Sequence, residues 1–300
     1  MKNDQNLGFV GIGIMGLPMC RHLAAAGYAV KINDISRTNA DRLAAEYVNV
    51  EVLDTPRAVA EASDIVITML PSGKYVQDVA LGKDGLVSGF KPGGLLLDTS
   101  SAEPWITRAT AAALSENKID MVDAPVSGAQ TGAEAAELVF MVGGNSGSVE
   151  RVKPLLDIMG KQSFHLGPVG SGHAMKCINN TITAMTFLAT SEGLVLGKKA
   201  GLDPDAMVDV INMSTGMSWV SRTHFKQRIL NRKFDDAFKL ELMLKDIGIA
   251  MKLSEDEGAS LPLSESGHRC WIEADKLAGS GSSVSELVRW VEQINNIEIS

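Results

Sequence analysis

The sequence predicts an α/β, Rossmann-type N-terminal domain followed by an all-α C-terminal domain. Three observations carry this. Short apolar runs alternate with helical periodicity from residue 7 to about 166. The first of those runs enters the turn Gly11-Ile12-Gly13-Ile14-Met15-Gly16. Past the turn-forming stretch Gly167-Pro168-Val169-Gly170-Ser171-Gly172, no convincing strand follows until the last few residues. The domains are therefore drawn at residues 1–168 and 169–300, consistent with roughly 100–200 residues per domain.

The first strand, Leu7-Gly8-Phe9-Val10, runs into G-x-G-x-x-G and then a helix whose apolar face carries Met15, Met19, Leu23 and Ala26. Gly11 takes the tight turn, Gly13 lets a pyrophosphate approach the backbone, and Gly16 lets helix and strand pack closely. The helix N-terminus offers amide N–H groups and partial positive charge to phosphates. Gly27 stops this helix, and Ala29-Val30-Lys31-Ile32-Asn33 forms the second strand, closed by Asp34. An acid there is placed to accept from a ribose 2′-hydroxyl. This context, rather than the glycines alone, makes the segment a dinucleotide site.

Further strands are read at Ile65–Met69, Gly94–Asp98, Asp120–Asp123, Leu138–Val142 and Ser163–Leu166. Such runs between helices imply a mostly parallel sheet covered on both faces, with ligands beyond the carboxyl ends of its strands. Leu70-Pro71, Thr99-Ser100-Ser101 and Pro125-Val126-Ser127-Gly128 all fall there. In the second domain a long helix is read from about His173 to Ala200, stopped by Gly201. Others are read near 204–213, 218–231, 240–257, 263–278 and 283–295.

Composition excludes several classes. At 45% hydrophobic and 21% charged, the chain is an ordinary globular protein. A net charge of −8 with no polybasic run argues against nucleic acid as the partner, though not against an anionic small molecule. The first six residues are polar and lack a signal peptide's apolar region, and no apolar run is long enough to span a membrane. Cys20, Cys177 and Cys270 are scattered, and histidines 22, 165, 173, 224 and 268 show no ligand spacing, so no metal site is expected. Reduced thiols point to a cytoplasmic protein.

Chemistry is carried by a few short patterns. Lys176 and Asn180 are four apart and share one helix face, with Gly172 a turn earlier leaving room. A lysine in a desolvated site can exchange a proton with a hydroxyl or carbonyl oxygen. By spacing alone this pair is commonplace. Ser127 and the amides of Gly128 and Ala129 can bind a carboxylate, although an ordinary Pro/Gly loop reads the same way. Lys245-Asp246, on an otherwise apolar helix, reads as the helix's solvent edge. No G-x-S-x-G elbow or P-loop lysine is present, so hydrolase and phosphoryl-transfer readings have no motif.

Together these pieces resemble the β-hydroxyacid dehydrogenase family, which includes 3-hydroxyisobutyrate dehydrogenase and tartronate semialdehyde reductase. Four blocks carry the resemblance, in order: Phe9–Met19, Asp123–Gly128, Gly172–Asn180 and Lys245-Asp246. It covers about residues 7 to 295. It implies that Lys176 is the general acid/base, and that Ser127, Gly128, Ala129 and Asn180 hold the substrate. It implies cofactor contacts at Gly11, Gly13, Ile14, Met15, Gly16, Asp34, Leu70, Pro71, Tyr75, Ser101 and Lys245. It also implies a homodimer or homotetramer assembled through the helical domain.

Two departures matter. The family often has a second glycine where this chain has Ala129, which bears on substrate shape. Relatives that use NADP often carry Asn-Arg where this chain has Asp34-Ile35. A carboxylate there accepts from a 2′-hydroxyl and repels a 2′-phosphate, so NAD is expected over NADP, with Arg37 nearby keeping NADP possible. The expected reaction is hydride transfer between NAD(P) and a short 3-hydroxy acid such as hydroxyisobutyrate, glycerate or threonate. Ala129, Gln130, Trp219, Phe238 and Lys239 are the candidates for choosing among them. The alternatives are an imine reductase, against which Lys176 speaks, and a non-catalytic NAD-binding module. A third, 6-phosphogluconate-type decarboxylation, would want a longer C-terminal domain.

Overall fold

The computed structural model describes residues 5–300; residues 1–4, part of the polar start read above, lie outside the described residues. The chain divides into two units, one ending at Lys176 and the other spanning Cys177–Ser300.

The first unit is built as β1 (Asn6–Val10), α1 (Gly16–Ala25), β2 (Ala29–Asn33), α2 (Arg37–Glu46), β3 (Val50–Val52), α3 (Pro56–Glu61), β4 (Ile65–Thr68) and α4 (Gly73–Leu81). It continues with β5 (Leu95–Asp98), α5 (Pro104–Ser115), β6 (Asp120–Asp123), β7 (Val126–Ser127), α6 (Ala129–Glu134), β8 (Leu138–Gly143), α7 (Ser146–Met159) and β9 (Gly160–Gly167). These strands form one sheet in the order β3-β2-β1-β4-β5-β6-β8-β7, with β9 beside β8. Pairing is parallel from β3 to β6 and between β8 and β9, and antiparallel where β8 meets β6 and β7. This is a Rossmann-type sheet.

Every residue of β4 and β5 is buried, which is why both read as unbroken apolar runs. Their side chains alternate between two cores. Ile65, Ile67, Leu95 and Leu97 join Leu7 and Phe9 beneath α1, α2 and α7. Val66 and Leu96 join Val59, Val76 and Leu114 beneath α3, α4 and α5. Strand order reverses between β1 and β4, so the crevice for a dinucleotide opens beyond their carboxyl ends.

Helix α8 (Ser171–Lys199) starts in the first unit and runs on through the second. The second unit adds α9 (Pro204–Asn212), α10 (Trp219–Thr223), α11 (Leu240–Asp256), α12 (Pro262–Ala278) and α13 (Leu287–Asn295), and is all helical. Its core gathers Phe187, Phe225, Met243, Ile247, Trp271 and Val288.

The structure differs from the sequence reading in three places. The helix expected at 218–231 ends at Thr223, and a π-turn over Phe225–Ile229 follows. Phe225 and Ile229, four residues apart within this turn, are both fully buried. The helix expected from 283 opens with a 3-10 turn at Val284–Glu286, capped by the Ser283 hydroxyl. The last residues form no strand; Ile299 is buried, and its N–H donates to Glu292 Oε1. The short strands β3 and β7 were too brief to show a period.

Candidate active site

The glycine turn follows β1 directly. Gly11 has a φ of +99°, and a Cβ there would sit 2.3 Å from the Met69 carbonyl oxygen. A Cβ on Gly16 would lie 1.9 Å from the Gly11 carbonyl oxygen. These two glycines are demanded by the protein itself. Gly13 is not: a Cβ there would meet no protein atom within 4 Å. It borders the space in front of α1, whose N-terminus has no side-chain cap. Ile14 is exposed beside it, Met15 is half-buried, and the turn thereby fits a pyrophosphate.

Asp34, just past β2, braces the turn. Its Oδ2 accepts from Ile12 N at 2.6 Å and its Oδ1 from Ser36 N at 2.7 Å. An ionised carboxylate has about four lone-pair positions, so acceptor capacity remains for a ribose hydroxyl. Asn39 Nδ2 donates to the Ile12 carbonyl at 2.9 Å and steadies the turn further. Arg37 is occupied nearby, its guanidinium 2.8 Å from Asp54 and 3.4 Å from Asp41. The residues present fit a nicotinamide dinucleotide.

Leu70 and Pro71 follow β4. Leu70 N donates to Ser100 Oγ at 2.9 Å, and Gly73 N, at the start of α4, donates to Glu103 Oε2 at 3.1 Å. Tyr75 is exposed on α4, and Ser101 is half-buried beyond β5. Ser127 ends β7 half-buried, with Gly128 and Ala129 exposed at the start of α6, which no side chain caps. Gly128 has a φ of +134° and Ala129 one of +52°. Ala129 thus keeps the left-handed backbone that the expected glycine would adopt freely.

Lys176 is half-buried in the second turn of α8. Asp123, at the carboxyl end of β6, caps that helix from a distance. Its Oδ1 accepts from Gly170 N at 2.6 Å and its Oδ2 from His173 N at 2.9 Å. Burial pushes the Asp123 carboxyl above its ordinary range; His173 and the two amides pull it back down. The room at Gly172 serves this arrangement. A Cβ there would strike the Met141 carbonyl at 2.2 Å and Asp123 Oδ2 at 2.9 Å. That is a correction, because the space belongs to the protein rather than to a substrate.

In the second unit Asn180 Nδ2 donates to Asp246 Oδ2 at 2.6 Å, and Lys245 Nζ lies 3.4 Å from Asp246 Oδ1. Asp246 is buried, so the solvent-edge reading of this pair is overturned for the acid. Cys177 is buried as well. Desolvation, then the Asp246 charge, pushes its thiol up to about 12, which makes it an inert core residue. Among the described residues no cluster of His, Cys, Asp or Glu could hold a metal ion. A cavity of about 440 Å³ opens at the amino ends of β1, β4 and β5, beside Asn6, Asp64 and Gly94. That is the end of the strands opposite the glycine turn, and it carries none of these residues.

Sequence reading assigned nothing to three buried polar side chains near these residues, Asp98, Asp123 and His173. One signal was available. Two apolar runs, Leu95-Leu96-Leu97 and Met121-Val122, each end in an aspartate whose side chain is buried.

Two family models match the chain. One, described as the NAD binding domain of 6-phosphogluconate dehydrogenase, matches residues 6–167. The other, described as the NAD-binding of NADP-dependent 3-hydroxyisobutyrate dehydrogenase, matches residues 170–291. The 2-(hydroxymethyl)glutarate dehydrogenase of Eubacterium barkeri is 33% identical, over 100% of this chain and 99% of its own length. The 2-hydroxy-3-oxopropionate reductase of Escherichia coli is 34% identical, over 98% of this chain and 99% of its own. Among solved structures, Mycobacterium tuberculosis 3-hydroxyisobutyrate dehydrogenase with L-serine matches at a TM-score of 0.88 and 31% identity, covering 96% of this chain and 99% of that one.

Proposed function

The chain belongs to the β-hydroxyacid dehydrogenase family, an NAD(P)-dependent oxidoreductase family, and from that premise we propose a residue-level mechanism and a substrate class. The substrate is a short 3-hydroxy acid. Both full-length relatives act on compounds that carry a hydroxymethyl group or its aldehyde beside a carboxylate.

Gly11, Gly13, Ile14, Met15, Gly16 and Asp34 hold the dinucleotide, with Leu70, Pro71, Tyr75, Ser101 and Lys245 completing its contacts. When bound, the nicotinamide supplies the hydride acceptor for oxidation and the donor for reduction. Ser127 and the amides of Gly128 and Ala129 receive the substrate carboxylate, and Asn180 orients it. In oxidation neutral Lys176 takes the hydroxyl proton at Nζ; in reduction its ammonium returns that proton to the carbonyl oxygen. Fixing the substrate this way supplies most of the proximity advantage.

The observation that carries this reading is Asp123. It ends β6 immediately before the Ser127 loop and binds the N-terminal amides of the helix that bears Lys176. One buried carboxylate thus relates the proposed carboxylate loop to the proposed acid/base.

Asp34 supports NAD over NADP, as does Arg37, whose charge is already matched by Asp41 and Asp54. Exposed apolar side chains on the second unit, Leu196, Met213 and Trp219 among them, support a homodimer or homotetramer. Among the described residues no disulfide forms and no helix is long and apolar enough to cross a membrane. The proposed location is the cytoplasm, which the scattered thiols support.

The test is NADH formation by the purified protein with NAD or NADP and a panel of short 2- and 3-hydroxy acids at mildly alkaline pH. A signal with one or two 3-hydroxy acids, stronger with NAD, is expected. Silence across the panel with NAD still bound tightly would overturn the reading in favour of a binding module.

A further inference from the structure

His173 is wholly buried, three residues before Lys176 on α8. Its Nε2 lies 3.0 Å from the Ser100 carbonyl oxygen, which can only accept, so Nε2 carries a hydrogen. Its Nδ1 lies 2.8 Å from Thr107 Oγ1 on α5. Two buried carboxylates flank the ring, Asp98 Oδ2 at 3.6 Å from Nε2 and Asp123 Oδ2 at 3.6 Å from Nδ1. That Asp98 oxygen has no hydrogen-bond partner among the described residues, so its attraction is directed at the N–H edge of the imidazole.

Ser100 is the other half of the arrangement. Its hydroxyl accepts from Leu70 N, in the loop proposed to touch the cofactor, while its carbonyl accepts from His173. Its own N–H donates to Asp98 Oδ1 at 3.1 Å, an oxygen that also accepts from Thr68 Oγ1 at 2.8 Å. A continuous set of buried hydrogen bonds therefore joins the ends of β4 and β5 to the first turn of α8. Buried hydrogen bonds in series fix the relative placement of the groups they join, and the one Asp98 oxygen outside the series, Oδ2, faces the His173 N–H edge at 3.6 Å.

We propose that His173 is a positioning residue for hydride transfer, holding the Lys176-bearing turn of α8 in register with the Leu70-Pro71 cofactor loop through Ser100. The proposal rests on the assignment of Lys176 and Leu70-Pro71 above. His173 touches neither substrate nor cofactor in this scheme. It sets where the acid/base stands relative to the nicotinamide, and a misplacement of about 1 Å at such a group can lower turnover about 100-fold.

Two polar substitutions separate the tie from the ring. In His173→Gln the amide nitrogen reaches the place of Nε2 and can still donate to Ser100. In His173→Asn the shorter amide reaches only the place of Nδ1, keeping Thr107 and losing Ser100. The expected result is a kcat within about threefold of wild type for H173Q and about 10- to 100-fold lower for H173N, with NAD affinity and KM nearly unchanged. Hydrogen–deuterium exchange supplies a readout that needs no turnover. The peptide containing Leu70 should exchange about tenfold faster in H173N than in wild type or H173Q. Equal kcat in the two variants, or loosening confined to α8, would overturn the proposal. A wild type that is silent on every hydroxy acid would count against the reaction assigned above, and the exchange comparison would still decide whether the tie exists.

Discussion

Asn180 donates its side-chain amide to the buried carboxylate of Asp246 at 2.6 Å. A carboxylate only accepts, so this contact sets which way the Asn180 amide faces. Its Oδ1 in turn accepts from Asn179 Nδ2 at 3.2 Å. Asp246→Leu should raise KM for the hydroxy acid about tenfold and destabilise the fold by about 1–3 kcal/mol, because a buried donor loses its partner. The double variant N180L/D246L should recover much of the stability and none of the activity. Urea unfolding and steady-state kinetics on Asp246→Leu, Asn180→Leu and the double variant check this. Full additivity of the two stability losses would contradict it.

Lys176→Ala should lower kcat by about 100-fold or more while NAD binds nearly as before. Lys176 is half-buried on α8, so shortening it removes a proton carrier without opening a sealed core. Isothermal titration with NAD separates this from a folding defect. Near-normal turnover would remove Lys176 from the mechanism.

Asp34 has both of its carboxylate oxygens engaged by backbone N–H groups of the glycine turn and of Ser36. Asp34→Asn replaces one acceptor with a donor facing a donor. NAD should bind about tenfold more weakly, and the preference over NADP should narrow, because the repulsion of a 2′-phosphate is gone. Dissociation constants for both nucleotides measure this. An unchanged ratio would show that the preference is set elsewhere.

The glycine turn and Asp34 were legible because their spacing is a short pattern within one βαβ unit, in which Gly16 packs on the Gly11 carbonyl, even though Gly11 also answers to Met69 just past β4. The α8 arrangement was not. Asp123 caps a helix whose bonded amides lie 47 and 50 residues further along, a pairing no window of the sequence contains. His173 read as one more histidine on a helix, and Gly172 as space for a ligand, since neither betrays a partner from another strand. Asp246 misled for the converse reason. An acid beside a lysine on an apolar helix is usually solvated; here the amide of Asn180, 66 residues away, joins the Lys245 ammonium in making its burial tolerable.

Ala129 holds a φ of +52°, a conformation costing a non-glycine residue about 1–2 kcal/mol. Ala129→Gly should stabilise the protein by up to about 1 kcal/mol after the greater freedom of glycine in the unfolded chain is offset. Ala129→Val, with a β-branched side chain in the same region, should destabilise it by more than that. Urea midpoints with an unchanged m-value test both signs. A stabilising valine would mean that the turn is not held left-handed in solution.

Acid should weaken the fold through two histidines. His224 is held below its ordinary value of 6.5 chiefly by burial, with Arg228 pushing the same way and Asp236 opposing. Burial also lowers His268. The unfolded chain takes up these protons near pH 6.5, whereas the folded chain takes them up only at lower pH. Between those two points the unfolded state binds more protons, so stability falls as pH drops below about 6.5 and is unaffected by these groups above it. Asp123 works in the opposite sense. Its folded value is raised above 3.8, so its contribution is full below 3.8 and is lost as pH rises through the raised value. Urea midpoints at pH 7.5, 6.0 and 5.0 should therefore decline, and His224→Gln should flatten the decline. A wild-type midpoint that rises as pH falls over this range would show the opposite, that the folded chain protonates His224 more readily than the unfolded one, through the Asp236 carboxylate 3.4 Å from its Nε2.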